Sequence, residues 1–95
     1  MENINTIIEI GSFSIKTIIY SNLDNNPKIE GIGKSNTQGY NGNEINSFDE
    51  FIDSIKRSIV QAEKQANIII KECYVLFSNK SIKINKFKNS INLDG

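Results

Sequence analysis

Two isoleucine-rich runs on either side of a Gly-Ser turn place the strongest constraint on how this chain folds. The runs cover residues 7–10 and 15–20, with Gly11-Ser12-Phe13-Ser14 between them. β-Branched residues favour strands, and a short glycine-containing connection between two such runs is typical of a β-hairpin. The sequence therefore predicts two antiparallel strands, over residues 6–10 and 15–21.

The same hairpin carries groups that suit an anion. Glu9 precedes the turn and Lys16 follows it, with Gly11 and Ser12 between. Backbone N–H groups of such a turn, a hydroxyl and a lysine can together bind a phosphate, such as that of a nucleotide. The alternative is an ordinary buried hairpin whose Gly-Ser pair serves only the turn geometry, because short glycine motifs often match by chance.

Composition narrows the classes of function. At 95 residues the chain has room for one small core. Basic and acidic residues number 11 each, so the chain has no net positive charge that would attract nucleic acid or an anionic membrane. The absence of histidine removes Ser-His and Cys-His catalytic pairs and the usual zinc sites.

The expected environment of the chain follows from similar arguments. The single cysteine, Cys73, can form no internal disulfide and is expected to be a buried, reduced thiol of a cytosolic protein. The N-terminus lacks the pattern of a signal peptide, and no apolar run reaches the length needed to span a bilayer. We therefore expect a soluble chain.

The segments that follow the hairpin predict a small α/β unit. Turn-forming residues over 21–27 predict a connection to a third strand at 28–34, where Gly31 and Gly33 indicate a close approach or a bulge. Polar residues 35–46 predict an exposed loop. The apolar run 73–77 predicts a strand buried on both faces, which after a helix should lie parallel to an earlier strand.

The helix between the loop and the last buried strand has clear boundaries. Ser47 and Glu50 match the capping-box pattern, and Asn67 suits the C-terminal cap. Apolar residues at helical spacing give one face, which we interpret as core packing over the sheet, the alternative being a partner groove. This face comprises Phe48, Phe51, Ile52, Ile55, Ile59, Ala62 and Ala66.

From Asn79 onward the pattern changes. Lysines at 80, 83, 86 and 88 alternate with apolar residues, which is typical of a strand with one solvated face. A basic interaction surface is the alternative interpretation.

Several of these motifs, taken in order, resemble the start of the actin-like ATPase superfamily, and within it the FtsA family of bacterial cell-division proteins. The motifs are Glu9-Ile10-Gly11-Ser12, then Ile29-Glu30-Gly31-Ile32-Gly33, the loop at 39–47, Gln61-Ala62-Glu63-Lys64-Gln65-Ala66, and Cys73-Tyr74-Val75-Leu76-Phe77-Ser78. The resemblance implies an actin-like, ribonuclease H-like α/β fold. Residues 1–78 would form part of the first subdomain, with β-β-β-α-β order, and residues 79–95 would begin the inserted SHS2-like α+β subdomain.

The resemblance also implies a cofactor, ATP with magnesium, bound fully only in a longer protein. Six residues then occupy the phosphate-facing segment of the first of two clamping hairpins: Glu9, Gly11, Ser12, Phe13, Ser14 and Lys16. Lys16 stands where actin carries a phosphate-contacting lysine. Glu9 replaces the aspartate of many members, which acts through magnesium and its bound water. Phe13 and Ser14 replace residues that are small and often basic in many members.

At the level of function, the resemblance implies a scaffold with weak or no ATP turnover. A full-length member polymerises and links FtsZ filaments and other division proteins to the inner face of the cell membrane at the division site. Its membrane attachment uses a C-terminal amphipathic helix that these 95 residues lack. The alternatives are a fragment of another actin-fold ATPase or kinase, or a small adaptor without nucleotide binding.

Overall fold

A computed structural model describes residues 3–77 and the backbone of residues 80–85. One helix and five strands make up this part of the chain. In order they are β1 (Ile4–Ile10), β2 (Ser14–Leu23), β3 (Asn26–Asn36), α1 (Phe48–Ala66), β4 (Glu72–Phe77) and β5 (Lys80–Asn85). The strands form a single sheet in the order β3-β2-β1-β4-β5.

The topology confirms the predicted α/β arrangement. β1, β2 and β3 pair as an antiparallel meander, and β4 lies parallel to β1 after the chain has crossed over through α1. β5 then pairs antiparallel with β4. The proposed division of the chain after residue 78 stays a prediction, because residues 78–79 and 86–95 lie outside the described residues, as do the side chains of the lysine-rich segment.

The connection between β2 and β3 is shorter than predicted. Only Asp24 and Asn25 form the turn, with φ angles of 53° and 63°, and both strands continue up to them. Two successive left-handed residues are the geometry that suits a tight hairpin between twisted strands. Pro27 fits within β3 because that strand lies at the edge of the sheet, where a missing N–H costs little.

The helix begins and ends where the sequence predicts. The hydroxyl of Ser47 accepts a hydrogen bond from the Glu50 N–H at 3.4 Å, and Asn67 adopts the left-handed conformation with its N–H on the Glu63 carbonyl. The predicted apolar face is wrong at its start, because Phe48 is 53% exposed. Ser54 and Ser58 are instead fully buried.

The hydrophobic core lies between α1 and one face of the sheet. Its largest fully buried apolar side chains come from β1, β2, α1 and β4: Phe51, Ile8, Ile15, Ile19, Ile55 and Val75. Cys73 is buried as predicted. The prediction that β4 is buried on both faces is wrong, because Tyr74, which points to the other face, is 46% exposed.

Both glycines of β3 allow the helix to approach the sheet closely. A Cβ at Gly33 would overlap the carbonyl of Ser58, and one at Gly31 would overlap the carbonyl of Ala62. A register shift in the β2–β3 ladder also occurs beside Gly31, between Ile19 and Tyr20. The predicted close approach and the predicted bulge are therefore both present. The described part of the chain holds no helix with the length and apolar character needed to cross a membrane.

Candidate functional site

The turn between β1 and β2 is closed by one internal hydrogen bond. Ile10 and Ile15 are the last paired residues of the two strands, and the Gly11 N–H donates to the Ser14 carbonyl at 3.0 Å. The Gly11 N–H is therefore used within the turn, which corrects the expectation that all N–H groups of this turn face an anion.

Thr37, which follows β3, contacts the same turn twice. Its N–H donates to the Phe13 carbonyl at 3.0 Å, and its hydroxyl donates to the Gly11 carbonyl at 2.8 Å. With Ser14 included, three carbonyls of the turn accept hydrogen bonds from protein donors. Within residues 3–77, the N–H groups of Ser12 and Phe13 have no acceptor, so they remain available to a ligand.

Four of the six predicted site residues line one surface depression at this end of the sheet. Its volume is about 370 Å³. The predicted residues are Glu9, Gly11, Ser14 and Lys16, and they are joined by Ile10, Leu76 and Phe77. The structure thus brings together the acid, the glycine, one serine and the lysine that the sequence singled out.

Ser12 and Phe13 lie outside the lining of this depression. The Phe13 side chain is 87% exposed at the tip of the hairpin. Ser12 lies instead beside Gly42 of the loop that precedes α1, and a Cβ at Gly42 would come within 3.4 Å of the Ser12 Cβ. The side chains of these two residues thus lie outside the depression, whereas their backbone N–H groups have no acceptor within residues 3–77.

The strand register places charged residues on both sides of Lys16. Lys16 is paired with Glu9 on one side and with Lys34 on the other. Glu9 is exposed and Lys16 is half-buried. The lysine stem therefore packs along the sheet while its ammonium group can reach solvent, which is the usual arrangement for a partly buried lysine.

Sequence reasoning did not find the contribution of β4 to the depression. Leu76 pairs with Glu9 in the parallel ladder, and this pairing places the end of β4 beside the turn. Phe77 is held from the other side by Tyr40, whose ring lies 6.0 Å from it and 5.0 Å from that of Phe51. The sequence did carry one signal for this contribution, the predicted parallel pairing of β4 with an earlier strand. Adjacent parallel strands end at the same edge of a sheet.

A larger depression, of about 820 Å³, lies near the first residues of β1 and the segment between α1 and β4. Its lining is mainly asparagine and isoleucine, with Lys71 and Glu72 at one side. It does not bring together the charge and glycine pattern of the first hairpin. Among the described residues there is also no group of three or more acidic, cysteine or histidine side chains that could hold a metal ion.

Comparison with known proteins relates the chain to one group. No family model matches it. It is 38% identical over 76 residues to the cell division protein FtsA of Buchnera aphidicola subsp. Schizaphis graminum, which covers 79% of this chain and 18% of that relative. It is 27% identical over 88 residues to the cell division protein FtsA of Enterococcus hirae, which covers 93% of this chain and 20% of that relative.

A third relative, the cell division protein FtsA of Enterococcus faecalis, is 29% identical over 68 residues, or 72% of this chain and 16% of that protein. The chain thus spans about a fifth of the length of the first of these relatives. These similarities confirm that the chain is related to the cell division protein FtsA and, in length, corresponds to a fragment of it.

Proposed function

We propose that this chain is the N-terminal segment of an FtsA-like cell-division protein and that its first hairpin binds the phosphates of ATP. The observation that carries the proposal is the shared depression lined by Glu9, Gly11, Ser14 and Lys16. The lysine charge and the polar turn groups around this one small depression favour an anion over an apolar ligand. The relationship to FtsA supports the same interpretation.

The residues present fit a magnesium-bound phosphate. Lys16 supplies a compact positive charge, Gly11 leaves the rim without a side chain, and the N–H groups of Ser12 and Phe13 are free to donate. Glu9, opposite Lys16 in the ladder, would reach magnesium through its bound water, since this ion usually keeps several waters in proteins. When bound, magnesium would neutralise phosphate charge.

This hairpin would act as half of a clamp. The depression is small and open and lies at the end of one sheet, so the base and ribose of a nucleotide would need contacts from elsewhere in a longer protein. Affinity depends on burying and orienting the whole ligand. The chain by itself is therefore expected to bind ATP only weakly, and binding would support assembly rather than rapid turnover.

The cellular role is part of the same proposal. In a full-length protein, the nucleotide-bound form would polymerise and link FtsZ filaments, with other division proteins, to the inner face of the cell membrane at the division site. A C-terminal amphipathic helix would make the membrane attachment. The relationship to FtsA supports this role.

One observation favours this proposal over an actin-fold kinase. A kinase would continue its first lobe after β4 with a further helix and strand. Here only two residues separate the end of β4 from the start of β5, which pairs antiparallel with it. A crossover helix does not fit between these two strands.

Substitution of Lys16 tests the phosphate role. In a full-length FtsA-like protein that carries these residues, we expect Lys16→Ala to weaken ATP binding about ten-fold or more, because a charged hydrogen bond to phosphate is lost. Thermal stability should barely change, since the side chain is only half-buried. Lys34→Ala is the matched control, being a lysine of the same cross-strand row that does not line the depression.

Equilibrium titration with magnesium-ATP measures both affinities. If Lys16→Ala and Lys34→Ala bind ATP as tightly as the unmodified protein, Lys16 is an ordinary solvated strand residue and the phosphate proposal is wrong.

A further inference from the structure

We infer that Thr37 is a positioning residue for the first hairpin. Its two hydrogen bonds turn the carbonyls of Gly11 and Phe13 away from the anion site. The inference rests on the proposed phosphate-binding function and adds to it a residue from outside the hairpin. Thr37 does not line the depression, so it would act on a ligand only through the turn that it holds.

The turn needs such support because it has little internal hydrogen bonding. Its one internal hydrogen bond joins Gly11 to Ser14, and Gly11 is free to adopt many backbone conformations. A peptide unit that rotated would exchange an N–H for a carbonyl oxygen beside the ligand. A carbonyl oxygen carries partial negative charge and would repel a phosphate, whereas an N–H attracts it.

Thr37 fixes two of these peptide units together. Its hydroxyl and its N–H reach carbonyls two residues apart, those of Gly11 and Phe13, at 2.8 and 3.0 Å. The peptide N–H groups that belong to the same planar units are those of Ser12 and Ser14, so fixing each carbonyl also fixes the direction of its N–H. The Ser12 N–H, which lacks a protein acceptor within the described residues, is thereby directed away from Thr37.

The residue that follows Thr37 is held by the helix. The N–H of the next residue, Gln38, donates to the Ser54 hydroxyl at 3.0 Å, and that hydroxyl donates to the Glu50 carbonyl at 2.9 Å. Ser54 is fully buried. The turn is therefore connected through residues 37 and 38 to the first turns of α1, a rigid element, rather than to a mobile loop.

The test uses the full chain labelled for amide NMR and titrated with magnesium pyrophosphate. Thr37→Val removes the hydroxyl and keeps the shape of the side chain, and Thr37→Ser keeps the hydroxyl. We expect Thr37→Val to weaken pyrophosphate binding about five-fold, as expected for loss of one neutral hydrogen bond, and Thr37→Ser to restore it. The Gly11 N–H should also exchange faster with solvent in Thr37→Val.

Ser35→Ala is the matched control. Ser35 also lies near the end of β3 and also donates its hydroxyl to a carbonyl, but that carbonyl belongs to Ser54 in α1. It should lower stability without changing pyrophosphate affinity, which separates positioning of the turn from general loosening of the fold.

Two results would contradict the inference, and they are distinguishable. Unchanged pyrophosphate affinity and Gly11 exchange in Thr37→Val, or an equal loss of affinity in Ser35→Ala, would show that Thr37 has no specific role while leaving the hairpin a phosphate site. A wild-type chain whose hairpin amides do not respond to pyrophosphate would overturn the proposed function, and the role of Thr37 with it.

Discussion

At the scale of single residues, the environment of Cys73 has the most direct chemical consequence. The residue is 2% exposed on the face of β4 that packs toward the core. Burial, and to a lesser extent the negative charge of Glu72, raises the pKa of this thiol from its usual 9.0 to about 12. The sulfur is therefore protonated at neutral pH and unsuited to nucleophilic chemistry, because the thiolate is the reactive form.

The raised pKa predicts how stability changes with pH. Above pH 9 the unfolded chain loses the thiol proton while the folded chain keeps it until about pH 12. The free energy of unfolding should be unaffected by this group below pH 9 and should fall as pH rises from 9 to 12, by at most about 1.4 kcal/mol per pH unit.

Denaturant unfolding of the wild type and of Cys73→Ala at pH 8, 9.5 and 10.5 measures this effect, since other groups titrate equally in both proteins. The stability advantage of the wild type should shrink as pH rises. A constant difference across this range would mean that the thiol ionises as readily in the folded chain as in the unfolded one.

At the scale of elements, the contact between α1 and β3 depends on small residues on both sides. Gly31 and Gly33 lie against the helix backbone at Ala62 and Ser58. The Ser58 hydroxyl donates to the Gly33 carbonyl at 3.1 Å and shares a 2.8 Å hydrogen bond with the Thr17 hydroxyl. These buried hydroxyls are satisfied by each other and by the backbone, so they cost little.

This contact predicts a large effect of a single methyl group. Gly33→Ala would place Cβ against the Ser58 carbonyl, and the helix would have to move away from the sheet. We expect the free energy of unfolding to fall by about 1–3 kcal/mol, as for other overpacked sites.

Lys34→Ala, next to it on the exposed side of β3, serves as the control in the same denaturant unfolding experiment and should change stability little. Equal stability of Gly33→Ala and the wild type would mean that helix and strand do not pack this closely.

The start of α1 gives a second prediction at this scale. Ser47→Ala removes the hydroxyl that accepts from the Glu50 N–H and should lower stability by about 1 kcal/mol. Ser47→Asp, which keeps an acceptor at the cap, should lose much less. If both variants have the thermal midpoint of the wild type, the helix begins at another residue.

The elements were predictable where their signals are local. The hairpin follows from β-branched runs around a glycine, and both ends of α1 follow from Ser47 and Asn67. Phe48 was misplaced because periodicity alone does not show where the sheet ends beneath the helix. Ser54 and Ser58 were missed because serine carries no apolar signal, and their burial depends on partners in β2 and β3 that are distant in sequence.

The residues of the candidate site also divide into those that the local sequence predicts and those that it does not. Glu9, Gly11, Ser14 and Lys16 are close in sequence, and hairpin pairing alone brings Glu9 opposite Lys16. Leu76 reaches the depression only through the strand order of the whole sheet. Thr37 reaches the turn beside it only through the path of the chain after β3. Such long-range placement has no signature in the local sequence.

At the scale of the whole molecule, the described residues form two layers, with α1 on one face of the sheet. A row of side chains on the other face crosses four strands through paired positions Ile32, Ile18, Ile7 and Tyr74. Ile32 and Tyr74 are 37% and 46% exposed. The candidate phosphate site lies at one end of this sheet, where β1 and β4 end side by side.

This arrangement explains why the site is only half enclosed. In the described part of the chain, the depression is lined by the first hairpin and the end of β4. The relatives are about five times longer, and in the proposed function the remaining contacts to the nucleotide come from that additional length.

The most direct test of the central claim is amide NMR mapping of magnesium-ATP on the 95-residue chain. We predict shifts concentrated at residues 9–16 and 76–77, with a dissociation constant on the order of 1 mM, as suits half of a clamp. Shifts located mainly along α1, or no shifts at all, would contradict the assignment of the phosphate site. Micromolar binding would contradict the claim that these residues form only half of it.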